Sequence, residues 1–426
     1  MIDRKISPLV NNISKIDFLT PETWTLRNGA KVWGIKAGTQ DLVKIDFLFN
    51  AGSWFQASNL VAGLTNAYLN QGSKNYSAQQ IAEAFDFRGA YLQLSADQQY
   101  GYVSILTLNK YFEEILKVTA DVIKHPTFPA KEVKTQIAKK KQWFIVENSK
   151  VKMLAQKKFS QVLFGENHPY ANTNTASDYD KLTREQLVQF HSENYRLSEC
   201  KILIAGNYSD EMKEQLEFYF GEECGLGARE TVASFPIVPA KEQAHFVDKD
   251  DALQSAIRIG KLVVNRDHPD FHGLNILSTI LGGYFGSRLM TNVREDKGYT
   301  YGIGSAIFTF PHASYFAIVT EVGADVCDDA LTEIYSEIER LQNELVGDDE
   351  LDVVKNYLLG EMLRSIDGVF AMSGSFHTLI EASLDFSHYS DFVDVITKIT
   401  SEEIMQLARK YLNKEELFQV VAGKRL

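Results

Sequence analysis

Histidine is the side chain best suited to ligate a metal or carry a proton near neutral pH, so the placement of the nine histidines bounds what chemistry this chain can attempt. His268 and His272 stand four apart in DHPDFHG, a spacing that a helix would bring to one face. No glutamate lies between them to serve as a base and no third ligand is evident. Pro269 marks a helix start, so capping and surface roles are expected. His125 and His168 each precede a proline and read as loop residues, and His191, His245, His312, His377 and His388 have no ligand spacing. Cys200, Cys224 and Cys327 form no CxxC pattern, and an odd number gives no disulfide framework; free thiols are expected, as in a reducing compartment. Ser-His-Asp and Cys-His arrangements have no local signature. Of the glycine runs, LGGYFGS (281–287) lacks the Lys-Ser/Thr ending of a phosphate loop. REDKGYTYGIG (294–304) does not sit between a strand and a helix as a dinucleotide loop would. Both read as turn glycines beside a strand.

The elements that must position any site come from a duplication. KLTREQLVQFHSENYRLSECKILIAG (181–206) and KITSEEIMQLARKYLNKEELFQVVAG (398–423) align without a gap at an offset of 217 residues. Lys181/Lys398, Thr183/Thr400, Glu185/Glu402, Gln189/Gln406, Glu199/Glu416 and Ala205-Gly206/Ala422-Gly423 are identical. In each copy a threonine caps an amphipathic helix that leads into a short β run. A second pair, 102–123 and 315–338, each reads strand, polar break, helix. Phe112, Ile115, Leu116, Thr119 and Ile123 mark the apolar face of the first, and Leu331, Ile334, Ile338 and Leu341 that of the second. The fold class is therefore α+β, built as two duplicated halves, each a sheet packed with helices. A period this long excludes a solenoid. The boundary is expected within 221–243, giving halves of 1–228 and 229–426. Ser77 opens a helix through a capping box with Gln80, with Ile81 and Phe85 on one face and Gly89 at its end. The lysine-rich stretch 131–158 follows one long helical pattern and reads as a solvated face.

Composition narrows the partners. The 426 residues carry a net charge of −12, with 45% hydrophobic and 23% charged residues, ordinary for a globular protein with large cores. The acidic balance argues against nucleic acid, which needs a basic stripe. No apolar run approaches a membrane span, and the N-terminus has no apolar signal core. If Met1 is the native start, a cytoplasmic location is expected; a trimmed leader would make it periplasmic.

The run 254–307 resembles the C-terminal half of insulinase/pitrilysin-type zinc peptidases and mitochondrial-processing-peptidase-like proteins. It does so through Leu281-Gly282-Gly283, Ser287-Arg288-Leu289 and Arg294-Glu-Asp-Lys-Gly298-Tyr-Thr-Tyr301. LRNGAKVW (26–33), NAGSWFQ (50–56), QGSKNYSAQQIAEAFDFRGA (71–90) and FGENHPYANTNTASDYDKLT (164–183) extend the likeness over nearly the whole chain. The resemblance implies a clamshell of two like halves around a chamber. Active members carry HxxEH on an early helix, where two histidines at i and i+4 reach one zinc ion and the glutamate takes a proton from its bound water. Here the corresponding stretch, NLVAGLTNAYLNQGSKN (59–75), has neither His nor Glu, and the region of the expected third ligand reads IAKKKQW (137–143), with Glu147 the nearest acid after it. No metal or other cofactor is expected in this chain, and no peptidase activity from it alone.

The resemblance also implies that an Arg and a Tyr seven residues apart, here Arg294 and Tyr301, handle substrate opposite the zinc. Arg supplies fork donors for peptide carbonyls or carboxylates, and Tyr a hydroxyl for charge developing on the scissile carbonyl. The alternative for the same residues is a structural ion pair at Arg294 and sheet packing at Tyr301. Three functions follow as expectations. The first is a subunit that lends Arg294 and Tyr301 to a homologous HxxEH-bearing, zinc-holding partner acting on peptide or unfolded polypeptide. The others are a non-enzymatic scaffold of the same fold and a peptide-binding homodimer.

Overall fold

The computed structural model describes residues 16, 18–171, 173–222, 234–384 and 387–425. The first half runs β1 (Glu22–Thr25), β2 (Lys31–Lys36), β3 (Leu42–Phe49), α1 (Val61–Ala67), α2 (Ala78–Asp86), β4 (Tyr91–Ala96), β5 (Gly101–Leu108) and α3 (Phe112–Lys124). It continues through α4 (Ala130–Asn148), α5 (Val151–Phe164), α6 (Ala176–Lys181), α7 (Arg184–Asn194), β6 (Lys201–Gly206) and α8 (Asp210–Phe220). The second half runs β7 (Ala244–Asp248), β8 (Gln254–Val263), α9 (Phe271–Ser278), β9 (Thr300–Phe310), β10 (Ala313–Gly323) and α10 (Cys327–Asn343). It ends with α11 (Asp348–Ser365), α12 (Val369–Ala382), α13 (Ser387–Lys398), α14 (Ser401–Tyr411) and β11 (Phe418–Gly423).

The duplication folds the same way twice. Helix α7, a 3₁₀ turn at Leu197–Glu199 and β6 recur 217 residues later as α14, a 3₁₀ turn at Lys414–Glu416 and β11. Both helices open on a capping box, Thr183 with Gln186 and Thr400 with Glu403. The second pair also holds: β5 passes a 3₁₀ turn into α3, as β10 passes one into α10. Strand order agrees too. The first sheet runs β1-β2-β6-β3-β5-β4 and the second β7-β11-β8-β10-β9. In each the C-terminal strand pairs parallel on one side and antiparallel on the other. The proposed boundary at 228/229 lies outside the described residues.

The central strands of each sheet are largely buried on both faces, with alternate residues facing each way. On β6, Ile202 and Ile204 join the core made with the half's own helices, while Leu203 and Ala205 face the other side. That other side is covered by α12, from the second half, through Met372, Phe376, Leu379 and Ile380. The exchange is reciprocal. Helix α5, from the first half, lays Ala155, Phe159 and Val162 on the second sheet against Ala256, Ala317, Val420 and Ala422. This accounts for one departure from the sequence reading. The stretch 131–158 is two helices, parted by Ser149 and by Lys150 in extended backbone, because α5 must leave α4 to reach the opposite sheet. No helix among the described residues is long and apolar enough to cross a membrane.

Candidate functional site

Arg294 is held by an irregular segment with many anchors. Helix α9 runs on into a π turn, Thr279–Gly283, and a second π segment spans Met290–Asp296. A β carbon on Gly282 would lie 2.6 Å from the Ser305 backbone nitrogen, so only glycine lets the first π turn press on β9. Arg288 grips Glu350 of α11 through two parallel hydrogen bonds of 2.8 and 2.9 Å. Asn292 donates to Glu333 and Glu337 of α10 at 3.0 and 2.8 Å, and Lys297 pairs with Glu333 at 2.8 Å. Wide-turn helix of this kind often marks a functional site, because it displaces side chains from ordinary helical positions.

Tyr301 is placed by a β-bulge. The β9–β10 register slips between Thr320 and Val322, so that Tyr301 and Gly302 oppose the single residue Glu321. The Thr300 hydroxyl fills the gap by donating to the Glu321 carbonyl at 2.7 Å. The two predicted residues meet: the Arg294 guanidinium lies 5.5 Å from the Tyr301 ring centre and 4.7 Å from that of Phe285. Tyr301 is 93% exposed and Phe285 61%. No carboxylate among the described residues pairs with Arg294, so the ion-pair alternative has no acid to rest on, and Tyr301 is not packed onto the sheet. Arg294 is half-buried between these exposed rings and the body of the protein, so the three side chains form an aromatic and cationic patch at the surface.

The early helix does not fit a zinc ion. On α1 the positions that are not buried are Gly63 and Ala67, four apart, where paired ligands would have to stand, and neither carries a donor. Asn66 between them is buried and donates to the Tyr102 carbonyl at 3.0 Å. On α4, Lys141 is committed to Asp180 at 2.6 Å and Glu147 to Lys150 at 2.6 Å. No group of three His, Cys, Asp or Glu among the described residues could hold a metal. His268 and His272 do not share a helical face: His268 precedes α9 and its Nδ1 accepts from the Asp270 backbone at 3.0 Å, while His272 stacks on Phe392 and meets His388 at a tilt. Cys200 is buried, with its thiol pushed up by desolvation, and Cys224 lies outside the described residues.

Sequence spacing missed what the halves build between them. A cleft of about 480 Å³ is lined from the first half by Trp54, Gln156, Phe159 and His168, and from the second by Arg258 and Tyr315. Beside it lies a second cleft of about 300 Å³ with Asp97, Arg266 and Glu381 on its wall. Neither contains Arg294 or Tyr301. The Tyr102 hydroxyl spans the second boundary, 2.5 Å from Asp97 and 2.6 Å from Glu381. Desolvation holds the Asp97 carboxyl above its usual range. Glu381 sits below its own: burial opposes this, but hydrogen bonds and charge from His377 prevail.

Comparison with known proteins gives a consistent result. Residues 32–174 match the family model described as Insulinase (Peptidase family M16), and residues 181–358 the one described as Peptidase M16 inactive domain. The Bacillus subtilis protein Uncharacterized zinc protease YmxG is 22% identical over 413 residues, 94% of this chain and 97% of that one. Probable inactive metalloprotease YmfF, also from B. subtilis, is 23% identical over 249 residues, 57% of each chain. Among solved structures, a peptidase M16 inactive domain from Pseudomonas fluorescens superposes with a TM-score of 0.83 at 27% identity, covering 96% of this chain and 99% of that one. A protease from Helicobacter pylori superposes at 0.86 with 18% identity, covering 96% and 100%.

Proposed function

The chain belongs to the insulinase family of M16 peptidases, and from that membership we propose that it is a catalytically incomplete subunit, binding peptide and lending Arg294 and Tyr301 to a homologous HxxEH-bearing chain that holds the zinc. The observation that carries this reading is a contrast. The unburied positions of α1 are Gly63 and Ala67, neither with a donor side chain, whereas Arg294 lies half-buried against Phe285 and Tyr301 in a segment anchored through Arg288, Asn292 and Lys297, with no carboxylate partner among the described residues. A guanidinium lying against two aromatic rings can keep its fork of donors for a peptide carbonyl or carboxylate. A phenol beside it can donate to an oxygen as charge develops there. Exposure of Tyr301, with Arg294 half-buried beside it, fits a site that a second chain completes. A relative named as an inactive metalloprotease is in keeping with loss of the metal in this lineage.

The test is reconstitution with a quenched fluorescent peptide. Chain alone is expected to cleave nothing, and mixing with an HxxEH homologue to give zinc-dependent turnover. In that assembly Arg294→Ala should lower kcat/KM about 10²-fold, and Tyr301→Phe about 10-fold or more, within the range for a lost transition-state donor. Neither change should shift the melting temperature of the chain. Stoichiometric zinc in the isolated chain with cleavage by it alone would overturn the proposal, as would an undiminished rate from the doubly substituted assembly.

A further inference from the structure

Arg258 sits in the middle of β8, on the sheet face that α5 covers from the other half. Its surroundings on that face are small or apolar: Ala256 on the same strand, Val319 across on β10 and Val420 across on β11. Arg258 is half-buried there, and partial desolvation of a guanidinium is unfavourable unless an anion meets it. Here no carboxylate among the described residues pairs with it. Its hydrogen bond is Nη2 donating to the Gln156 side-chain oxygen at 3.4 Å, near the limit of such a bond. Glu321 acts on it only through space, and desolvation leaves the guanidinium below its ordinary pKa. Arg258 lines the cleft of about 480 Å³ between the halves, a volume ordinary for a small-molecule site. Phe159, Phe310 and Tyr315 supply apolar wall, Gln156 and Ser160 polar groups, and Glu166 stands exposed on its lining.

We infer that this cleft is a carboxylate-binding site, with Arg258 as its bidentate anchor and the aromatic wall taking the group that carries the acid. The fork of Arg258 matches a carboxylate in two parallel hydrogen bonds and would offset the cost of its partial desolvation. The carboxylate has two sources of the same chemistry, the C-terminus of a short peptide and a free organic acid. The site is independent of the Arg294–Tyr301 patch and stands or falls without it.

Titration calorimetry of the full chain tests the site with three probes: the tripeptide Ala-Ala-Phe, its C-terminal amide, and 3-phenylpropionate. The free acid tripeptide should bind at least tenfold more tightly than the amide. Arg258→Gln should abolish that preference, and Arg258→Lys should keep part of it, because lysine supplies the charge without the fork. Without ligand, Arg258→Gln should melt no lower than the parent chain, since it removes a half-buried charge and no ion pair. Stronger binding of the peptide assigns the site to peptide ends; equal or stronger binding of phenylpropionate assigns it to free acids. Equal affinity for acid and amide, no binding of either acid, or a melting temperature several degrees lower in Arg258→Gln would overturn the inference.

Discussion

His191 shows what one side chain contributes once burial is known. Its Nε2 donates to the Ile123 carbonyl at 2.8 Å, and its ring stacks on Tyr195. Burial disfavours the imidazolium and lowers the pKa from 6.5 to about 4, against the opposing effect of that hydrogen bond. The sign follows from linkage. A pKa depressed by folding gives stability that is present above the unfolded value and lost as pH falls through the folded one. The chain should therefore lose stability between pH 6.5 and 4, with His191 accounting for at most about 3 kcal/mol. His388, held at about 4 by burial beside His272, adds to the same slope. His191→Gln can keep a donor near the Ile123 carbonyl and cannot titrate. Its melting temperature should fall less steeply with acid than that of the parent chain, and parallel curves would refute the assignment. Residue types and spacing were enough to bring Arg294 and Tyr301 together, which the structure places side by side. They could not reveal His191 or Arg258, because burial depends on which element packs over a residue, and for Arg258 that element comes from the other half.

At the level of elements the duplication was legible almost to the residue, because it rests on local chemistry repeated at fixed spacing. Thr183 and Thr400 cap α7 and α14 by the same two hydrogen bonds, and the Ala-Gly pair ends both strands. Gly206 has φ +130°, and a β carbon there would lie 2.2 Å from the Leu42 carbonyl, which gives that identity between copies a steric cause. The caps are quantitatively testable. Thr183→Ala and Thr400→Ala should each cost about 1 kcal/mol in urea unfolding. The double variant should cost about the sum, since the sites lie on different halves and share no partner. A large cost at one site and none at the other would mean that the copies are alike in pattern and not in energetics. The π segments and the α4–α5 break were not legible. The first exists because Gly282 allows contact with β9, and the second because α5 has a distant sheet to cover; periodicity along one helix reports neither.

Across the whole molecule, the exchange of α5 and α12 makes each half incomplete without the other. Removing α12 would strip cover from Ile35, Leu48, Leu203 and Ala205 on the first sheet. Removing α5 would do the same to Ala256, Ala317, Val420 and Ala422 on the second. Burial of several large apolar side chains at about 1.5–3 kcal/mol each gives a gross attraction on the order of 10 kcal/mol, even before the second helix is counted. Polar contacts fix the register: Lys201 donates to the Ile380 carbonyl at 2.8 Å, and Tyr102 bonds Glu381. Covalent continuity between Glu222 and Ser234 is then not what holds the halves together. A chain cut at a protease site introduced between those residues should elute from size exclusion as one particle of unchanged size. Both fragments should appear only on a denaturing gel, and they should part in urea at the concentration that unfolds the intact chain. Separation under native conditions would mean that the exchanged helices bind weakly. The clefts that the halves form between them, Arg258's among them, would then depend on the linking segment for their shape.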